Sequence, residues 1–191
     1  ELDDIKVRVY GMSFSEKYQY QSMMDEFEVI DDDYINILML HADLVSNMSE
    51  SKYNPVTSEK IASSGFDYIA LGHVHEFDGV HLAGHTYYAY SGVHEPHGFD
   101  ECGRKGIIYG NVSKGVCRLS LKDTAMREYV SVSQDVSGAC TDEDITAIVA
   151  LYRPGPMDSI PKFIENKLNH KKITYKCPEL EPILKVTYGC I

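Results

Sequence analysis

Histidines that follow two separate apolar runs could bind a metal ion. The motif Gly-His-Val-His at 72–75 directly follows an apolar run at 66–71, and a second run at 35–40 ends on a histidine. Residues two apart in an extended chain point to the same face, and the leading glycine allows the chain to bend. Neutral imidazoles bind divalent transition metals. We therefore predict one shared metal site at the strand ends of an open sheet, formed by His41, His73 and His75.

The remaining polar candidates carry weaker signals. The chain has eight histidines, and we expect the other five to be ordinary core or surface residues: His81, His85, His94, His97 and His170. The acidic run at 31–33 lacks the spacing of a ligand set, so we interpret it as a solvated loop. The sequence shows no complete catalytic set, and substrate-binding residues remain unassigned.

The hydrophobic periodicity predicts the elements that would position these histidines. Alternating or continuous apolar residues predict strands at 5–10, 35–40 and 68–71, and a short helix face within 16–27. Thr57 or Ser58 can cap a helix at 59–64 that ends at Gly65. Later β-type runs, at 86–90, 106–112, 116–121 and 128–132, are typical of an antiparallel meander. From Thr141 an acidic first turn predicts a capped helix, followed by proline-bounded short helices and turns.

Composition and charge limit the class of protein. The 191 residues are 43% hydrophobic, and no apolar run approaches the roughly 20 residues of a membrane helix, so no membrane partner is expected. Five cysteines without a C-x-x-C pair favour a reducing environment and a cytoplasmic location. The net charge of −11 disfavours general phosphate-backbone binding, although a bound metal could supply local positive charge. The acidic start without Met suggests a chain that begins inside a longer reading frame.

Residues 1 to about 140 resemble the C-terminal part of a calcineurin-like metallophosphoesterase of the SbcD or YhaO type, a DNA repair exonuclease. The resemblance lies in residues 37–41 (ILMLH), 67–75 (DYIALGHVH), 90–101 (YSGVHEPHGFDE) and 103–106 (GRKG). It implies a two-metal site, usually manganese, within a sandwich of two β-sheets flanked by helices. His41 and His73 would bind one metal and His75 the other. DNA and an SbcC-like ATPase would be the partners of the complete nuclease.

The sequence departs from that family in its metal ligands. It contains neither the Asp-x-His motif, nor the Gly-Asp with its bridging aspartate, nor the Gly-Asn-His that supplies a general acid. Three neutral imidazoles hold two divalent ions poorly without a bridging carboxylate. Whether the chain is an enzyme is therefore open: by descent it would be a hydrolase with a nucleotidyltransferase segment, and both centres look incomplete.

Residues from about 145 to 191 resemble the bacterial DNA polymerase III alpha subunit of the DnaE type. The resemblance begins with 150–166 (ALYRPGPMDSIPKFIEN) and continues through 180–185 (LEPILK) and 187–191 (TYGCI). It implies a segment near the palm that leads into the fingers, with DNA as partner and DNA replication as context. The palm aspartates of that family have no counterpart here.

These observations predict an α/β chain built from two unrelated pieces. We expect a partial metallophosphoesterase sandwich, β-rich with mixed sheets, at 1–140, a junction at 141–149, and a small helical, proline-rich tail at 150–191 that packs weakly. The simplest origin is a chimeric reading frame. The main functional hypothesis is a fragment of a metal-dependent phosphodiesterase or DNA exonuclease joined to a DNA polymerase III alpha segment, inactive as it stands. The alternatives are a DNA polymerase III alpha subunit fragment, or a non-catalytic remnant that binds at most one metal.

Overall fold

The computed structural model describes residues 1–30, 33–98, 100–126, 128–135, 141, 143–144, 147 and 183–190. The chain divides into two compact units. The first comprises Glu1–Glu95 and Arg104–Ala125, and the second comprises Pro96–Gly103 and Met126–Ile191. No helix among the described residues is long and apolar enough to cross a membrane.

Strands dominate the described chain. In order they are β1 (Val7–Gly11), β2 (Ile35–His41), β3 (Asp43–Leu44), β4 (Pro55–Val56), β5 (Tyr68–Gly72), β6 (His81–Ala83), β7 (Thr86–Tyr90), β8 (Gly106–Ser113), β9 (Val116–Asp123), β10 (Glu128–Asp135) and β11 (Ile183–Cys190). The α-helix α1 spans Ser58–Ala62, and short 3-10 turns lie at Asp3–Ile5, Met23–Glu26 and Met48–Glu50. The result is a strand-rich mixed α/β fold with few helices, which confirms the predicted class at that level.

A five-stranded sheet organises the first unit, in the order β1-β2-β5-β7-β6. Its first four strands are parallel, and β6 pairs antiparallel with β7. Parallel strands end at the same edge of a sheet, so β2 and β5 bring their carboxyl ends together. The register places His41 beside Gly72, the residue that precedes His73.

Apolar side chains of the central strands form the core of the first unit. Leu38 and Ile69 are fully buried and pack in one cluster with Ile61 of α1. The predicted cap of this helix is confirmed at Thr57, whose side chain accepts a hydrogen bond from the Lys60 N–H at 3.3 Å. The predicted helix at 16–27 is wrong except for one 3-10 turn at Met23–Glu26.

A buried carboxylate joins the sheet to the β8–β9 hairpin. Asp67 accepts hydrogen bonds from the Asn36 N–H and the Gly115 N–H, both at 2.8 Å. The Lys114 ammonium lies 3.5 Å from the same side chain. Asp67 therefore satisfies backbone donors of β2 and of the hairpin turn, and it compensates its own burial through them.

The predicted antiparallel meander is confirmed for β8 and β9 and wrong for β7 and β10. Strand β7 lies in the mainly parallel sheet, while β8 and β9 form a separate antiparallel hairpin. Strand β10 pairs antiparallel with β11 over the full length of both, from Glu128 opposite Cys190 to Asp135 opposite Ile183. Local periodicity identified these strands, but their partners are set by contacts between residues distant in sequence.

The predicted helical tail is also wrong at residues 183–190, which form β11. This stretch contains Val186, Thr187 and Tyr188, whose branched and aromatic side chains favour extended backbone. Residues 151–182 lie outside the described part. The predicted helix start at Thr141 is confirmed where it is described, because Thr141 and Asp144 exchange reciprocal side-chain hydrogen bonds of 3.2 and 2.9 Å.

Candidate metal site

His41 and His73 meet at the carboxyl edge of the sheet. His41 is the last residue of β2, and His73 follows β5 directly. The Nε2 atom of His41 lies 3.1 Å from the Nδ1 atom of His73, with the rings 4.9 Å apart at 76°. The structure thus brings together the two strand-end histidines, as their placement predicted.

The spacing of the two nitrogens suits ligands of one ion. Two imidazole nitrogens bound to tetrahedral zinc at about 2.0–2.1 Å lie roughly 3.3 Å from each other. The observed 3.1 Å is close to this value, and it also permits a hydrogen bond between two neutral imidazoles. Burial, followed by the charges of His73 and His75, lowers the pKa of His41. The neutral ring that this favours is the form that binds metal.

His75 is exposed and lies two residues beyond His73. Its charge contributes to lowering the pKa of His41. Among the described residues, no set of three ligand atoms that includes both His41 and His73 lies within 4.8 Å, so the structure brings together the first two histidines without the third. His73 has a φ angle of 109°, which side-chain-bearing residues rarely adopt. Such strain persists only where the surrounding structure holds it, so the backbone here is fixed by its neighbours.

Of the five histidines expected to be ordinary, His81 stacks on Tyr88 at 5.3 Å and pairs with Asp78 at 3.1 Å. His85 is exposed in the turn between β6 and β7. His170 lies outside the described residues. Asp33 of the acidic run pairs with the Lys6 ammonium at 3.4 Å, and both side chains are exposed, while Asp31 and Asp32 lie outside the described part.

One aromatic ring contacts each histidine of the pair. Phe14 meets the His41 ring edge-on, with centroids 5.6 Å apart. Tyr53 lies over His73 at 5.0 Å and 34°. Such rings restrict the imidazole orientations and exclude some water. Sequence reasoning missed both, because neither lies near a histidine in the sequence.

Two buried polar side chains hold the backbone after β2. Asn54 donates from Nδ2 to the His41 carbonyl at 3.0 Å and accepts the Met23 N–H at 2.7 Å. The Tyr90 hydroxyl donates to the Ala42 carbonyl at 2.9 Å and accepts the Leu44 N–H at 2.8 Å. The only sequence signal for Asn54 was its Asn-Pro pair, which indicated a chain break rather than a contact.

The donor set discriminates among metals. Among the described residues, no carboxylate forms an ion pair with His41 or His73. Imidazole suits zinc, copper and nickel, whereas manganese prefers carboxylate, carbonyl and water oxygens. The residues present therefore fit one imidazole-preferring ion better than a manganese pair. Metal binding by His41, His73 and His75 stays a prediction.

Comparison with known proteins shows similarity at the other end of the chain. Residues 132–191 match the family model of the bacterial DNA polymerase III alpha subunit finger domain. This segment begins within β10 and includes β11. The match supports the polymerase resemblance and extends it upstream of residue 145, where the sequence motifs suggested that it begins.

Curated relatives agree with this match. The chain is 59% identical over 51 residues to DNA polymerase III subunit alpha of Halalkalibacterium halodurans, covering 27% of this chain and 5% of the relative. It is 55% identical over 49 residues to the same subunit of Staphylococcus epidermidis and of Staphylococcus aureus strain Mu50, covering 26% of this chain and 5% of each. The chain thus spans about 5% of the length of these relatives.

No solved structure matches the chain. None of these findings supports the metallophosphoesterase resemblance of residues 1–140, nor an SbcC-like ATPase as partner. The polymerase hypothesis, which was the alternative, is the better supported of the two.

Proposed function

We propose that residues 132–191 act as a DNA-contacting segment of polymerase III alpha finger descent, in the context of DNA replication. The observation that carries this proposal is the finger-domain match over the whole segment, together with 59% identity to a polymerase III alpha subunit over 51 residues. The match covers a finger domain alone, so the proposal is DNA contact rather than nucleotide transfer.

Basic side chains of the segment are the candidates for this contact. Arg153 and Lys162 flank a proline-rich stretch within the matched range. Arginine and lysine supply most protein contacts to phosphate, and such contacts position a protein on DNA without reading its sequence. Because the chain carries a net charge of −11, binding should depend on these few cations and weaken steeply with salt.

The first prediction tests this with the full chain and a fluorescent primer–template duplex. We expect salt-dependent binding, measured by fluorescence anisotropy. The DNA affinity of the double variant Arg153→Ala, Lys162→Ala should be several-fold weaker, because fewer counterions are released on binding when phosphate contacts are lost. The matched control is Lys6→Ala with Lys17→Ala, which removes two exposed cations outside the matched segment. Equal weakening by the control, or no binding by the wild-type chain, would contradict the proposal.

A second candidate function belongs to the first unit. We propose that His41 and His73 bind one divalent ion, as in a remnant of a phosphodiesterase site. The specific observation is the 3.1 Å distance between the Nε2 and Nδ1 atoms of the first two rings. A divalent ion held in this way would supply Lewis-acid chemistry and lower the pKa of bound water. The chain itself contributes neutral ligands, aromatic walls and a fixed backbone.

The second prediction concerns the affinity for Zn²⁺, measured by isothermal titration calorimetry on the full chain. We expect His41→Ala or His73→Ala to reduce the affinity by more than the roughly 10–100-fold that is typical when a residue hydrogen-bonded to a metal ligand is replaced. His85→Ala is the control, because this exposed histidine lies in the β6–β7 turn. Unchanged affinity in His73→Ala, or an equal loss in His85→Ala, would show that the site lies elsewhere.

A further inference from the structure

A buried lysine lies beneath the histidine turn, which we define as residues 73–77. Lys105 is only 5% exposed, and its ammonium donates to the His75 carbonyl at 3.2 Å. No carboxylate among the described residues forms an ion pair with it. Removing a charge from water is costly unless it is paired, so a lysine held by a neutral carbonyl calls for an explanation.

The same carbonyl is covered from a second side. Gly92 has a φ angle of 69°, and a Cβ atom there would lie 3.2 Å from the His75 carbonyl oxygen and 3.2 Å from the Phe77 nitrogen. The Gly106 N–H donates to the Val93 carbonyl at 3.1 Å, which joins the segment after β7 to the start of β8. The histidine turn is therefore held between Gly92 and Lys105.

We propose that Lys105 is a positioning residue for the candidate metal site. Its ammonium fixes the His75 carbonyl, and through it the turn on which the strained His73 backbone and the exposed His75 depend. Asn54 holds the His41 carbonyl at 3.0 Å on the neighbouring strand. Each of the two strand ends thus has one carbonyl held by a buried side chain. This inference rests on the proposed metal site of the first unit.

Because Lys105 is charged, a positioning role and a purely electrostatic role predict opposite effects of its removal on the metal affinity. A positive charge near a cation site opposes cation binding. If Lys105 acted only through its charge, its removal would tighten metal binding. A positioning role predicts the opposite, because the ligands lose their fixed geometry. The sign of the change in affinity therefore separates the two.

Folding should survive the decisive substitution. Replacing a buried charge with an apolar side chain of similar length is often neutral or stabilising. Lys105→Met keeps the stem and removes the donor and the charge, whereas Lys105→Arg keeps both donor and charge. Lys122→Met is the matched control, because it removes an exposed cation from the same end of the hairpin, one ladder pair beyond Gly106.

The experiment measures Zn²⁺ affinity by calorimetry, and histidine ring nitrogen shifts by NMR on the metal-free chain. We expect Lys105→Met to weaken Zn²⁺ binding about 10–100-fold, while Lys105→Arg and Lys122→Met stay within about threefold of wild type. In the metal-free chain, Lys105→Met should shift the ring signals of His73 and His75, and Lys122→Met should not. Gly92→Ala should shift the same signals, because its Cβ would press on the turn from the other side.

Several outcomes would overturn the proposal. Tighter Zn²⁺ binding in Lys105→Met would mean that Lys105 acts only through its charge, and unchanged binding would mean that it does not affect the site. Unmoved ring signals in both Lys105→Met and Gly92→Ala would show that neither residue holds the turn. If wild type fails to bind Zn²⁺, the metal proposal fails by itself, while the ring signals of the metal-free chain still decide whether Lys105 positions the turn.

Discussion

Leu38→Ala is expected to lower the free energy of unfolding of the first unit by about 3–5 kcal/mol. Leu38 is fully buried in β2, which lies between β1 and β5 in the sheet. Truncation loses the transfer free energy of three side-chain carbons, the Cγ and the two Cδ methyl groups. It also leaves a cavity, because neighbouring side chains such as Ile69 lie on rigid strands. A loss of this size is a large fraction of the stability of an ordinary domain.

The neighbouring residue provides the control. Met39 is 56% exposed and lies on the opposite face of the same strand. Met39→Ala should change the unfolding free energy by no more than about 0.5 kcal/mol. Urea unfolding followed by far-UV circular dichroism measures both variants. A similar effect of both substitutions would mean that the face of β2 assigned to the core is incorrect.

Leu38→Ala should also weaken Zn²⁺ binding, although Leu38 touches neither candidate ligand. His41 ends the same strand, and its position opposite Gly72 depends on the register of β2 with β5. A cavity in the middle of the strand loosens its pairing, and the position of its last residue then becomes less well defined. The core and the site are thus linked through a single strand.

The sequence predicted those features whose cause is local. Apolar runs predicted β2 and β5, and the histidines at their ends predicted the contact between His41 and His73. A capping side chain predicted the start of α1 at Thr57. For the strands and the cap the determining residues lie within one turn or one strand, so that periodicity and residue type are sufficient. The histidine contact follows from the further rule that parallel strands end at the same edge of a sheet.

The partners of these elements could not be predicted in this way. Lys105 reaches the His75 carbonyl across 30 positions, and the Tyr90 hydroxyl reaches the Ala42 carbonyl across 48. No spacing rule relates such pairs. The pairing of β10 with β11 could not be predicted for the same reason. The sequence of β10 has a clear strand pattern, but the prolines between the two strands favour turns and short helices.

The polymerase resemblance shows a third case. Its motifs were recognised from residue 145 onward, yet the family match begins at residue 132, within β10. The compositional shift near Thr141 lies inside the matched range. Strand β10 pairs with β11 inside the second unit, so its structural partner belongs to the matched segment.

The first unit should lose stability steeply between pH 10 and 12. Burial raises the pKa of Tyr68 from 10.0 to about 12, and burial likewise raises the pKa of Tyr90 to about 12. In the unfolded chain these hydroxyls ionise near pH 10, while in the folded chain they stay protonated until about pH 12. Their contribution is therefore complete below pH 10 and is lost as the pH rises through the folded pKa values.

The expected size of this loss follows from the shifts. A shift of two pKa units corresponds to about 2.7 kcal/mol for each tyrosine, as an order of magnitude. Burial also raises the pKa of Cys117, from 9.0 to about 11, which acts in the same direction. The loss from the two tyrosines together is comparable to the whole stability of a small domain, so we expect alkaline unfolding within this window.

Tyr90→Phe separates ionisation from packing. At pH 7 it should lower the unfolding free energy by about 1–3 kcal/mol, because the Ala42 carbonyl and the Leu44 N–H lose their buried partner. Between pH 10 and 12 its stability should then fall less steeply than that of wild type, since one titrating group is gone. Tyr109→Phe, at a 65% exposed position, should reproduce the wild-type curve.

Urea midpoints measured at pH 7, 9, 10 and 11 give these slopes. An equal alkaline slope in wild type and Tyr90→Phe would show that the Tyr90 hydroxyl ionises in the folded chain as readily as in the unfolded one, and that its burial between β7 and the loop after His41 does not hold in solution.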